Sequence, residues 1–467
     1  MSIHEECGVF GMFSTFQQDI ASIVKVGLFA LQHRGQESCG IVVNADRQFY
    51  THKDLGLVGD VFTNEVMEKF PQGTLGIGHV RYATTGATNR NNCQPIEVNH
   101  QKGLLALAHN GNISNAFELR NELELNGAIF HSTSDTETIA YIVTRERLKS
   151  KSIEEAISKA MNYLDGAYSL LFMSATKMIA VRDPYGFRPL CYGVMEDGTY
   201  IVASESCALD AVGAKFVRDV EPNEIIVFSR DGIQSYKENC KKKEKATCVF
   251  EYIYFARPDS IIDGVDVHTS RVKAGQILAQ CAPVEADVVI GVPDSGLDGA
   301  IGYAYESKIP YKLGIIKNKY IARTFIAPNQ SERINGVQIK LNPIKSVIEG
   351  KRVVLIDDSI VRGTTCRRIV DLLRKNGAKE VHMRISAPPF KYPCFYGTDI
   401  DSSENLIANQ LTIEQIREKI GADSLAYLPI EELKTIVSHE GICTSCFTGQ
   451  YPTQVPVDTR KSRFENK

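Results

Sequence analysis

Short apolar runs separated by glycine-rich turns fill the first half of the chain, at residues 75–79, 104–108, 169–173, 178–181, 200–203 and 224–228. Runs of this length between turn formers predict strands with little solvent-facing surface. Two helical patterns interrupt them. Ser134 followed by Glu137, and Ser152 followed by Glu155, each predict a capping box at a helix start. Behind Ser152, the residues Ile153, Ala156, Ile157, Ala160 and Leu164 fall on one helical face. Many strands with few helices predict stacked sheets flanked by helices. Past a charged run at 237–245 (KENCKKKEK) the rhythm changes. Strands are predicted at 287–292, 352–356 and 380–385, with helices from about Leu297 and through 365–375. This repetition predicts a parallel, doubly wound sheet, with ligands at the carboxyl ends of its strands. The charged run is the expected boundary, giving domains 7–240 and 241–467.

Composition agrees with two soluble domains. The 467 residues exceed what one core organises, and 43% hydrophobic with 23% charged residues is ordinary. A net charge of -3 lacks the basic excess of a nucleic-acid binder. No apolar run approaches the roughly 18 residues of a membrane span. The first residues carry neither the basic flank nor the apolar stretch of a secretory signal, so the expected location is cytoplasmic. The twelve cysteines are scattered along the chain, which points to catalysis or metal binding in a reducing compartment rather than to disulfides.

Cys7 opens the run CGVFG, and a thiol there needs a base. Removal of residues 1–6 would supply one, because the new α-amine, with a pKa of about 7.7–8.0, can take or relay the proton. Downstream, GHVRYATTG ends a strand with Arg81 and Thr84, where an arginine can hold a carboxylate bidentately. In AHNGN, the Asn110 amide and the Gly111 N–H form a natural pair of oxyanion donors. Asp135 stands at a helix start, where it can receive an ammonium group. CGVFG, LQHRGQES, GHVRYATTG, AHNGN and STSDTE together resemble the amino-terminal-nucleophile glutamine amidotransferases, in that family's order. The resemblance implies a four-layer αββα sandwich in which Cys7 attacks the glutamine amide. It further implies that Arg81 holds the α-carboxylate, Asp135 the α-ammonium, and Asn110 with Gly111 the oxyanion. Arg34 and Thr84 match further positions lining the site, and residues 1–6 match a propeptide.

After the boundary, the strand at 352–356 runs into Asp357, Asp358, Ser359, Ile360, Val361, Arg362, Gly363, Thr364 and Thr365. Gly363 permits close approach of a ligand, the threonines offer hydroxyls, and the following helix presents free N–H groups to a phosphate. The acidic pair can meet ribose hydroxyls and a divalent metal. There is no P-loop and no GxGxxG turn. This segment resembles the phosphoribosyl pyrophosphate (PRPP) loop of the type I phosphoribosyltransferases. By the same resemblance, VPDSG with Ser295 is the pyrophosphate-side loop, and KNKYIARTF with Lys317 and Tyr320 is a mobile flap. Lys319 departs from the arginine more usual in that flap. Ser295, Asp357 and Asp358 are then the positions associated with Mg²⁺, one ion per subunit.

An amidotransferase followed by a phosphoribosyltransferase implies that glutamine, PRPP and water give 5-phosphoribosylamine, pyrophosphate and glutamate. That reaction is the first committed step of purine synthesis. Ammonia is expected to pass between the sites through an internal channel. Purine nucleotides are the expected feedback inhibitors, and a homotetramer the expected assembly. CTSC is a CxxC that by itself leaves zinc, an iron–sulfur cluster or a redox pair open. One subgroup of these amidotransferases carries a [4Fe-4S] cluster, and its motifs match Cys248, Cys394, Cys443 and Cys446, implying one cluster per subunit, with zinc as the alternative metal. Transfer to a sugar phosphate or an acyl-adenylate is disfavoured by the PRPP loop and by the lack of an SGGxDS motif. A non-catalytic PRPP sensor is disfavoured by the charge balance and by the retained Cys7 and flap.

Overall fold

The computed structural model describes residues 7–82, 88–318, 341–398, 400 and 402–456. The first half contains two antiparallel sheets. One has seven strands, ordered Lys215–Asp219, Cys191–Val194, Tyr200–Ala203, Gly8–Gln18, Gly73–Arg81, Ser38–Ala45 and Gln48–Leu55. The other has six, ordered Gly232–Tyr236, Ile225–Ser229, Met178–Arg182, Gly166–Ser174, Gly103–Ile113 and Ile96–His100.

The layers follow from three apolar clusters. Val9, Phe13, Val42, Leu75 and Ile77 from one sheet meet Ala106, Ala108, Leu171, Met173 and Phe228 from the other. The outer face of the first sheet packs on helix Ile20–Ala30 through Ile20, Val24 and Leu28. The outer face of the second packs on Ala116–Leu125, Asp135–Lys149 and Ile153–Ala160. These are the four layers of the expected sandwich. Both faces of the central strands are covered, which is why they read as apolar runs rather than as alternation.

Both predicted helix starts are present, but neither is a reciprocal box. The Ser134 hydroxyl accepts from Thr136 N, while Glu137 accepts from His131 N, Ser132 N and the Ser132 hydroxyl. Ser152 does accept from Glu155 N, yet the Glu155 carboxylate takes the N–H of Lys151 instead. In both helices the acid reaches past the cap to backbone one or more residues earlier.

The second half is built on a parallel sheet ordered Val288–Gly291, Arg352–Asp357, Glu380–Ile385 and Ser424–Tyr427. Helices Val267–Cys281, Gly296–Ser307, Thr364–Lys375 and Ile413–Ile420 pack around it, burying the first three strands on both faces and leaving Ser424–Tyr427 half-buried. A two-residue strand, Thr247–Cys248, pairs in parallel with Ile442–Cys443 and brings Cys248 opposite Cys443. No described helix is long and apolar enough to cross a membrane.

Candidate functional site

The first site forms where the two sheets of the sandwich end together. Cys7 precedes the central strand Gly8–Gln18, is buried, and its thiol donates to Tyr82 O at 3.4 Å. Asn110 and Gly111 lie on Gly103–Ile113 of the other sheet. Ser204 joins the two strands: its hydroxyl accepts from Val9 N at 2.9 Å and lies 3.5 Å from Asn110 Nδ2. Asn110 is fully buried, and its carbonyl oxygen has no hydrogen-bond partner. Gly111 has φ +139°, and a Cβ there would stand 2.2 Å from Ala167 O. Only glycine lets this strand run so close to its neighbour.

Arg81 ends the strand Gly73–Arg81 with its side chain buried. Asp135 is the first residue of its helix; its carboxylate accepts from Ile113 N at 3.1 Å and lies 3.7 Å from His109 Nδ1. Burial pushes His79, whose ring nitrogen meets His109 O at 2.9 Å, down to about 3, so it stays neutral.

Arg34, expected among the residues lining the glutamine site, is fully buried in an ion-pair network. It donates to Cys7 O at 3.0 Å, to Glu205 at 2.5 Å, and to both oxygens of Glu251 at 2.9 and 2.7 Å. Thr84 lies outside the described residues.

The second site is at the carboxyl end of the parallel sheet. Asp357 ends its strand, and Asp358 accepts from the Ser295 hydroxyl at 2.5 Å and from the Ser359 hydroxyl. Burial first, then the neighbouring Asp358 charge, pushes the Asp357 carboxyl well above the usual range. Burial raises Asp358 as well, with Ser295 and Ser359 opposing. Two crowded carboxyls with hydroxyls beside them are an oxygen-rich set of the kind that suits a hard cation. Gly363 adopts φ +78° before helix Thr364–Lys375, and no side chain caps that helix. The uncapped first turn, which holds Thr364 and Thr365, follows directly on the loop that carries Ser359 and Arg362. Lys317, at the end of Ile315–Lys317, pairs with Asp294 of the loop carrying Ser295. Tyr320 and Lys319 lie outside the described residues.

The third feature is the cysteine set. Cys248, Cys394, Cys443 and Cys446 line one cavity with room for about 10 Å³, walled by Phe187, Phe250, Phe390 and Tyr396. Among the described residues, no three His, Cys, Asp or Glu side chains already stand in ligating positions. Burial pushes the Cys443 thiol up to about 11 and Cys446 well above its ordinary range, where neighbouring cysteines add to the effect. Hydrogen bonds to sulfur from Tyr396 N (to Cys394, 3.4 Å) and an approach of the Ser445 hydroxyl (to Cys443, 3.3 Å) complete the wall.

Known proteins match both halves. A glutamine amidotransferase domain model matches residues 79–211, and a phosphoribosyl transferase domain model matches 269–388. Fold and sites together thus define a glutamine amidotransferase joined to a phosphoribosyltransferase. The chain is 50% identical over 463 residues to the amidophosphoribosyltransferase of Methanocaldococcus jannaschii, covering 96% of this chain and 98% of that one. It is 48% identical to the amidophosphoribosyltransferase of Bacillus subtilis, covering 98% and 96%. A solved structure described as glutamine PRPP amidotransferase from B. subtilis complexed with ADP and GMP matches with a TM-score of 0.90 at 47% identity, over 98% of this chain and 100% of that one. The chain belongs to the amidophosphoribosyltransferase family. It is a pentosyltransferase of purine biosynthesis that converts glutamine, PRPP and water to 5-phosphoribosylamine, pyrophosphate and glutamate.

Proposed function

We propose that Cys7 is the nucleophile of the glutaminase half-reaction, freed by removal of residues 1–6. The observation that carries this reading is the fully buried Asn110 amide, whose Nδ2 donor meets the Ser204 hydroxyl only at a long 3.5 Å while that hydroxyl also holds the Cys7 strand through Val9 N at 2.9 Å. A buried polar group left short of partners in a native fold points to a bond reserved for a ligand. Attack of the Cys7 sulfur on the amide carbon builds negative charge on the amide oxygen, and Asn110 Nδ2 with Gly111 N–H stabilises it. The α-amine of Cys7 takes the thiol proton and returns it to the departing ammonia. Arg81 holds the substrate carboxylate and Asp135 its ammonium, and Thr84 is assigned to the same glutamine site by the family resemblance.

At the second site, Ser359, Arg362, Gly363, Thr364 and Thr365 bind the 5-phosphate and ribose end of PRPP, and Lys317 with Tyr320 closes over the pyrophosphate. The oxygens of Ser295, Asp357 and Asp358 fit Mg²⁺, which keeps several waters and needs only one or two carboxylates from the protein. When bound, the ion neutralises pyrophosphate as it leaves. Closure of the flap excludes water from the ribosyl centre and leads ammonia inward along a channel.

The four cavity cysteines fit a [4Fe-4S] cluster, since thiolates in an apolar, sulfur-directed setting are the donors such clusters take. It would cross-link distant segments, and its role is structural. Purine nucleotides act as feedback inhibitors, supported by the ADP and GMP in the related B. subtilis structure, on a cytoplasmic homotetramer.

Intact-mass analysis of anaerobically purified enzyme, with iron and sulfide measured on the same sample, tests the reading. The expected species begins at Cys7 and carries four irons. Active enzyme retaining residues 1–6 refutes the terminal-amine mechanism, and active enzyme without iron refutes the cluster.

A further inference from the structure

The two halves meet around one carboxylate. Glu251, in the short helical turn Glu251–Phe255 beyond the charged run, is fully buried. Its two oxygens take Arg34 from the glutaminase half in a bidentate pair at 2.7 and 2.9 Å. Arg34 in turn donates from Nε to the backbone carbonyl of Cys7 at 3.0 Å. Glu251 also accepts from Arg188 at 3.3 Å. Arg188 donates to Tyr396 O at 2.7 Å, in the segment that braces the oxyanion strand from the other side. There Asn112 Nδ2 donates to Phe395 O at 2.8 Å, and an added Cβ at Gly397 would lie 3.4 Å from the Gly111 backbone. One acid of the second half thus stands behind both Cys7 and Gly111.

We propose that Glu251 is a positioning residue for the glutaminase reaction, acting through Arg34 on the backbone of Cys7 and through Arg188 on the segment behind Gly111. A bidentate arginine pair fixes orientation as well as distance, so the Cys7 carbonyl cannot rotate without breaking it. Burial alone would raise the Glu251 carboxyl, but Arg34 and then Arg188 hold it below the usual range, so it stays charged in this dry setting. Glu205 supports Arg34 from the glutaminase side and is itself held by Arg257 N and the Ser260 hydroxyl. The nucleophile is therefore registered against the transferase half rather than only against its own sheet.

This inference rests on Cys7 being the nucleophile, and a Cys7→Ala control separates the two. The test measures glutamine-dependent and ammonia-dependent transfer in the same preparations of full-length enzyme, with the rate of Cys7 alkylation by iodoacetamide. Glu251→Gln is expected to lower glutaminase kcat about 10- to 100-fold, the scale of a roughly 1 Å misplacement. KM for glutamine and ammonia-dependent transfer should stay within about twofold, and Cys7 alkylation should slow. Arg34→Lys keeps the charge but not the fork, and should reproduce the kcat loss. Glu251→Asp should recover part of it. If Glu251→Gln does not fold, Arg34→Lys decides in the same assays. Parental glutaminase kcat in Arg34→Lys, or equal loss of glutamine- and ammonia-dependent activity, would overturn the proposal. Glutamine-dependent activity surviving in Cys7→Ala would instead overturn the nucleophile assignment.

Discussion

Replacing Gly275 by alanine should injure PRPP use from a distance. Helices Val267–Cys281 and Gly296–Ser307 touch backbone to backbone: a Cβ at Gly275 would stand 1.9 Å from Gly299 O, and one at Gly302 1.9 Å from Val272 O. Ordinary contact begins near 3.4 Å, so the helices must part by about 1.5 Å. The obstacle is a carbonyl, and no rotamer change relieves it. Nor can the second helix retreat into the sheet, because Gly296 already abuts Ile356 O. The displacement falls on the helix start, where Ser295 bonds to Asp358. Overpacking of this kind costs about 1–3 kcal/mol, offset by roughly 1 kcal/mol of helix propensity gained by alanine. A shift above 1 Å at a binding loop costs up to about 100-fold in rate. Ammonia-dependent kinetics should show kcat/KM for PRPP reduced about 10- to 100-fold, with a lower Tm and unaltered glutaminase activity. A variant with parental kcat/KM and a raised Tm, the result of propensity alone, refutes the reasoning.

Two further outcomes follow from buried charge. Asp263→Asn breaks a bidentate pair with the fully buried Arg182 at 2.7 and 3.0 Å, and also loses Lys245 at 2.9 Å. Stranding Arg182 should cost about 3 kcal/mol, visible in calorimetry as a Tm drop of roughly 3–6 °C; a change under about 1 °C contradicts it. Asp183 is fully buried, and burial raises its carboxyl to about 6 despite Arg182 and three backbone donors. Its folded state binds the proton more tightly than the unfolded chain, so its stabilising contribution is complete below about pH 4 and is lost as pH rises through 6. Asp183→Asn removes that dependence. Its stability relative to the parent should therefore climb between pH 4 and 6, by on the order of 3 kcal/mol, and a flat difference rules this out.

Three strands of the second-half sheet were legible, most plainly the apolar runs at Val288–Gly291 and Arg352–Asp357 that are covered on both faces, whereas the half-buried fourth strand Ser424–Tyr427 left no such run. Other elements left weaker marks. The strand Gly8–Gln18 turns polar from Ser14 onward, and its outer part is exposed. Helix Val267–Cys281 buries Arg271, whose guanidinium donates to Tyr252 O and Ala256 O, so its inward face does not read as apolar. The site motifs were readable because each is local. The partnership of Arg34 with Glu251 was not, since 217 residues separate them and either residue alone looks like a surface charge.

The parallel pairing of Thr247–Cys248 with Ile442–Cys443 sets a clock on assembly during synthesis. Chains emerge from the ribosome at roughly 5–20 residues per second, so about 10–40 s separate the appearance of Cys248 from that of Cys443. The glutaminase sandwich can collapse in that interval, while Cys248 and then Cys394 remain unroofed. The two thiols are most accessible to solvent and oxidants then. Docking of the last strand ends that exposure.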